Sequence, residues 1–138
     1  MNQTAIFWPM IAQVALVYGV YGLISIRRRA AVRSGEAKAS QFRENTVEPA
    51  SSLYVKNNLT NQFELPVLFF AACLAVHGLG ATTGFTLALA WLFVASRYVH
   101  AFVHVTTNRI RFRQPAFTLG YLLLGVLWAT IAWRLIAG

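Results

Sequence analysis

Apolar residues dominate four stretches of the chain, at 4–26, 59–80, 82–105 and 115–136, and polar residues gather between them. A bilayer core takes about 20 apolar residues of helix, and each stretch is long enough. The breaks have chemical causes. Arg27, Arg28 and Arg29 stop the first stretch. The segment 77–84 holds Gly78, Gly80 and Gly84 without a charge, which predicts a tight turn between the second and third spans. Arg109, Arg111 and Arg113 precede the fourth stretch, and Pro115 suits the first turn of its helix. The pattern predicts an all-α protein: an integral membrane four-helix bundle forming one domain over residues 1–138. Within the long polar loop 27–58, residues 27–42 extend the first helix out of the membrane. Glu48-Pro49-Ala-Ser-Ser52 turns the chain back.

Composition agrees. Of 138 residues 57% are hydrophobic and 12% charged, against about 25% charged in soluble domains, so a soluble or disordered chain is excluded. A single cysteine, Cys73, excludes a disulfide scaffold and reads as a small buried hydrophobe. The chain has no aspartate, which removes every mechanism that needs one.

Charge sets orientation. Residues 27–58 carry seven Lys or Arg and residues 107–114 carry three, whereas the turn at 77–84 carries none. Positive residues mark the cytoplasmic side, so both termini are expected outside and both basic loops in the cytoplasm. The formal charge of +8 is accounted for by this topology, and no nucleic-acid partner is expected. The first stretch lacks a basic leader and exceeds the 7–15 residues of a signal core, which predicts a retained span. Trp8, Trp128 and Trp133 suit the interfacial aromatic belt. Gly19 with Gly22, and Gly120 with Gly125, predict close helix approach.

The informative residues are those that lipid excludes. Asn57, Asn61 and Glu64 share one helical face at the start of the second span. Arg97, His100, His104, Asn108 and Arg111 follow steps of three and four along the third and into the basic loop. At about 1.5 Å rise per residue, Asn61 matches His104 in depth, and Glu64 matches His100 and Arg97. These stripes predict a polar pocket open to the cytoplasm. Two other readings compete with it. Interhelical polar contacts contribute about 0.6 kcal/mol on average and can serve only to join helices. His100 and His104, with Glu64 near, have a spacing that suits zinc, but no Cys or Asp completes the set. Intramembrane ionisable residues mark a site by default, and the pocket is preferred.

Three features resemble the MAPEG family, the membrane-associated proteins of eicosanoid and glutathione metabolism. Asn61-Gln-Phe-Glu64 followed by Pro66 is similar to its N-x-x-E, Arg97-Tyr-Val-His100 looks like its R-x-x-H, and Arg27-Arg-Arg29 stands where the family places basic residues. The likeness covers nearly the whole chain, which reads as a divergent, bacterial-type member of an inner membrane. It implies a homotrimer binding glutathione as co-substrate, with a small lipophilic substrate arriving from the membrane lipid. Arg28, Asn57, Asn61, Glu64, Arg97 and His100 are then the binding candidates. Arg111, Arg113 and His104 are the catalytic ones, in a transferase or peroxidase that activates the thiol. Two positions depart from the family: Asn57 replaces a common Arg and His104 a common Tyr. They leave a second class open, a non-catalytic relative that binds a lipid or a partner protein.

Overall fold

The computed structural model describes residues 1–44 and 46–138, and every regular element among them is helical. A 3-10 turn (Gln3–Ile6) leads into α1 (Phe7–Arg33) and the short α2 (Gln41–Glu44). After these come α3 (Ala50–Asn61), α4 (Leu65–Gly78), α5 (Gly84–Val105) and α6 (Ile110–Ala137). Four segments are long and apolar enough to cross a membrane: Gln3–Arg33, Ala50–Gly78, Gly84–Val105 and Ile110–Ala137. The four predicted spans are therefore present, with ends moved for local reasons.

Arginine is a good helix former, so α1 runs through the basic triplet to Arg33. It stops there, short of the predicted Phe42, because Ser34 caps it and Gly35 takes a left-handed φ of +80°. Pro49 turns the chain, with φ −57° and ψ 145°, and α3 starts at the next residue. The second span is broken where a single helix was expected. Pro66 has no N–H for the carbonyl of Gln62 and its ring crowds that turn, and the helix stops at Asn61 and resumes at Leu65. The fourth helix also departs from expectation. It begins at Ile110, which puts Pro115 inside the helix and not in its first turn.

The turn between α4 and α5 forms as predicted. Gly80 adopts φ +57°, and the N–H groups of Gly80 and Ala81 donate to the carbonyls of His77 and Val76. That is the Schellman arrangement, whose left-handed position favours glycine. Thr83 caps α5 in a reciprocal pair with Thr86. Gln3 ties the N-terminus to this turn, because its side-chain oxygen accepts from the Thr82 N–H at 3.0 Å.

Ile6, Phe69, Cys73, Val76, Phe93, Leu124 and Leu127 form the main core, with Phe69 and Phe93 stacked at 4.4 Å between centroids. Gly120 lets α6 approach α5: a Cβ there would lie 2.7 Å from Ser96 Oγ. Gly19, Gly22 and Gly125 do not act this way within the chain, because a Cβ at any of them meets nothing within 4 Å. Between 22% and 50% of each span's most apolar window is buried inside the chain. The remaining apolar surface, including Trp8, Phe102 and Trp133, faces outward, as contact with lipid requires.

The loop between α1 and α3 is held by carboxylates. Arg28 donates to Glu48 through Nε at 3.0 Å and Nη2 at 2.6 Å, and the Ser52 hydroxyl donates to the same carboxylate. Burial opposes the charged form of Glu48, but the bonds from Arg28 and Ser52 and the charge of Lys56 outweigh it, and its pKa lies below the ordinary 4.5. Ser51 likewise holds the pKa of Glu36 below that value, and its N–H donates at 3.1 Å. A carboxylate with a depressed folded pKa stabilises fully above the unfolded value and loses that contribution as pH falls through the folded one. Acidification below pH 4.5 is therefore expected to loosen the loop before the spans. Proteolysis of residues 34–49 should accelerate there, and Glu48→Gln should give a similar acceleration at pH 7.

Candidate functional site

The polar residues of α1, α3, α5 and α6 meet at the ends of the helices that carry the basic loops. Lys56, Asn57, Thr60, Asn61, His104 and Arg113 line a cleft of about 400 Å³. A site of this size falls within the range of small-molecule pockets, roughly 300–1,000 Å³. The groove between Leu65, Tyr121 and Trp128 is apolar and offers no acid, base or cation. A second groove, between α1 and Phe42, carries Arg28, Arg29 and Arg33 but, among the described residues, no amide or imidazole.

His104 sits at the floor of the cleft and is buried. The depth match between Asn61 and His104 is realised: Asn61 Nδ2 and Asn58 Nδ2 both lie 3.3 Å from His104 Nδ1. Behind Asn58 stand two residues that the sequence reading passed over. Gln62 Nε2 donates to Asn58 Oδ1 at 3.2 Å, and Gln13 Nε2 of α1 donates to Gln62 Oε1 at 3.0 Å. A glutamine inside an apolar stretch was the available signal for Gln13, since lipid leaves an amide no partner of its own.

The match of Glu64 with His100 and Arg97 is not realised as a contact. Break and proline turn Glu64 away from the face of Asn57 and Asn61, and it is exposed at the N-cap of α4. Its charge acts on Arg97 without a direct ion pair. Arg97 is fully buried and donates through Nη2 to the Asn61 carbonyl at 3.4 Å, one of the carbonyls left without a helical partner where α3 ends. Its guanidinium also lies 5.8 Å from the centre of the Phe117 ring. His100 faces α6, with Nδ1 3.3 Å from the Arg113 carbonyl and its ring 5.7 Å from that of Phe117. Arg97 and His100 thus back the cleft without lining it.

The stripe predicted to run from Arg97 to Arg111 ends with the helix at Val105. Asn108 lies in the turn beyond, in a left-handed conformation at φ 49°, and its side-chain oxygen accepts from Arg113 Nη1. This bond aims Arg113 into the cleft. Arg111 is exposed, 5.1 Å above the Phe112 ring, and lies outside the lining. Arg28 stands apart as well, held by Glu48 and lying 5.1 Å from the Phe42 ring. Among the described residues no three His, Cys, Asp or Glu side chains are placed to hold a metal ion.

The site is therefore a cationic cleft with amide and imidazole walls, beside apolar surface facing the bilayer. It can hold an anionic molecule through Lys56 and Arg113 and orient it through Asn57, Asn61 and His104. No curated protein and no solved structure matches the chain. The family model of the MAPEG family matches residues 5–133, nearly its whole length. With four membrane-length helices to fit that match, the chain belongs to the MAPEG family.

Proposed function

We propose that this protein is a glutathione-dependent membrane transferase or peroxidase acting on lipophilic electrophiles, from a cleft on the cytoplasmic side. The observation that supports the reading is the convergence of Lys56, Asn57, Asn61, His104 and Arg113 on one polar cleft. Glutathione carries two carboxylates, one ammonium and a thiol, so it is anionic overall and rich in amide groups. Lys56 and Arg113 match its carboxylates or thiolate, and Asn57 and Asn61 match its peptide groups. Glu64 is turned away from the cleft lining, so no carboxylate of the lining meets the ammonium, which is left to the amide oxygens of Asn57 and Asn61. A homotrimer, in which a neighbour closes the open side of each cleft, fits the family and the apolar surface left outside.

A free thiol has a pKa near 8.5, so only a few per cent is thiolate at neutral pH. A guanidinium close to the sulfur favours the thiolate. The thiol proton passes to water as the thiolate forms, and the sulfur then attacks the electrophilic carbon. In a substitution the leaving group departs with its bonding pair. In an addition the pair of the double bond shifts to the activating group and the neighbouring carbon takes a proton from water. Arginine suits this role because it keeps its charge at every working pH.

The test uses purified protein in lipid nanodiscs. Glutathione at 100 times its Kd is expected to add about 2.7 kcal/mol to stability, seen as a raised thermal midpoint. Conjugation of a chromogenic electrophile should also exceed the uncatalysed rate. Stabilisation by anionic lipid alone, with neither response to millimolar glutathione, would replace this reading with the non-catalytic one.

A further inference from the structure

We infer that three amides outside the cleft lining, Gln13, Gln62 and Asn58, are positioning residues that fix the tautomer of His104. All three are buried, none more than 1% exposed. They join α1 to α3 in one series: Gln13 Nε2 donates to Gln62 Oε1 at 3.0 Å, and Gln62 Nε2 donates to Asn58 Oδ1 at 3.2 Å. An amide has one accepting end and one donating end, so its direction passes along such a series. With its oxygen taken by Gln62, Asn58 can offer His104 only its N–H. Asn61 presents a second amide nitrogen to the same ring atom, also at 3.3 Å. Two N–H groups converging on Nδ1 require a lone pair there, which puts the proton of the neutral ring on Nε2.

The opposite direction is disfavoured by what it buries. As it stands, the series leaves one Gln13 atom without a partner, the carbonyl oxygen Oε1. Turning every amide over would satisfy that oxygen and strand the two N–H groups of Gln13 in its place. Orphaned buried N–H groups are rarer than under-satisfied carbonyls.

Four residues earlier the same helix carries an internal contrast. His100 Nδ1 faces the Arg113 carbonyl, which only accepts, so that ring carries its proton on Nδ1. The two histidines of α5 therefore hold opposite tautomers. For the cleft the consequence is specific: His104 presents Nε2–H beside Arg113, a fixed neutral donor to an anionic group bound there.

The tautomer is read without any substrate, so this inference stands or falls separately from glutathione chemistry. The experiment labels the full-length protein with nitrogen-15 histidine and records two-bond proton–nitrogen correlations in lipid, with His77→Gln and His100→Gln assigning the three rings. His104 is expected to show an unprotonated Nδ1 and a protonated Nε2, and His100 the reverse. Gln62→Met and Gln13→Met, each close in volume, should release Asn58 and move both His104 nitrogens to intermediate shifts while His100 keeps its pattern. A protonated Nδ1 on His104 in the unsubstituted protein would overturn the assignment. Wild-type shifts in Gln62→Met would overturn the role of the series, and if that variant fails to fold, Gln13→Met decides the same point.

Discussion

Gly120→Ala is expected to destabilise the protein by about 1–3 kcal/mol, the usual cost of overpacking, and Gly120→Leu to prevent folding. A Cβ at Gly120 would stand 2.7 Å from Ser96 Oγ, while its next neighbours, Arg97 Cδ and Phe93 Cδ2, are at 3.8 Å. The clash is thus with one atom. That atom is not free to swing away without loss, because Ser96 Oγ donates to the Phe93 carbonyl at 2.6 Å. In a bilayer the lipid tails are as apolar as leucine, so helices are held by close packing, and a displaced α6 regains little elsewhere. Ser96→Ala removes the offending oxygen together with its bond. The double variant Ser96→Ala/Gly120→Ala should therefore recover most of the loss, a coupling that a double-mutant cycle measures. Thermal unfolding followed by circular dichroism in nanodiscs reads both. Gly120→Ala with an unchanged midpoint, or a double variant no better than the single, would remove this packing argument. The same substitution also probes the site, since Arg97 is the residue next to Ser96 and its contact with Asn61 depends on where α5 lies.

How much of this could be read in advance depended on what set each feature. Span number and kind were legible because length and apolarity decide them: no other arrangement buries four such stretches. The turn at Gly80 was legible because three glycines and a missing charge leave few alternatives. Glycine spacing alone did not separate Gly120 from Gly19, Gly22 and Gly125, since close approach belongs to a pair of surfaces and only one is visible in a motif. Helical spacing placed Asn61 and His104 at a common depth, and they meet. The same rule failed for Glu64, because it assumes an unbroken helix and Pro66 breaks this one two residues later. It failed again at Asn108 and Arg111, where α5 has already ended. The amides behind His104 were hidden for a different reason. Asn58 and Gln62 stand four apart on one helical face, but the bonds from Gln13 to Gln62 and between Asn58 and His104 join different elements, and no periodicity within one stretch encodes those.

Arg113→Ala is expected to lower the rate of conjugation at pH 7 with saturating glutathione by roughly threefold, while Arg111→Ala leaves it unchanged. The difference follows from placement: Arg113 lines the cleft and is held by Asn108, whereas Arg111 lies over Phe112 outside it. A cation within about 4–6 Å lowers an acidic pKa by 1–3 units, and each unit is close to tenfold in thiolate when pH lies below the pKa. That gain ends once the thiol pKa falls below pH 7, at about 30-fold for a free value near 8.5. Lower basicity also weakens the nucleophile, with a Brønsted slope of about 0.4–0.5, which leaves a net gain of about threefold. The sign is checked by the pH profile. A depressed thiol pKa in the complex gives its advantage below the free thiol value, near 8.5, and gives none above it. The Arg113→Ala deficit should therefore shrink toward pH 9, and the rising limb of its profile should shift to higher pH. A deficit constant across pH would show that Arg113 only binds. Asn108 separates aiming from charge. At φ 49°, Asn108→Gly keeps the backbone conformation but removes the oxygen that accepts from Arg113. It should lose part of that same rate advantage with an unchanged thermal midpoint. Asn108→Ala loses the same bond and adds about 1–2 kcal/mol of left-handed strain, so its midpoint should fall as well. Equal rates in Asn108→Gly and the unsubstituted protein would mean that Arg113 needs no such guide.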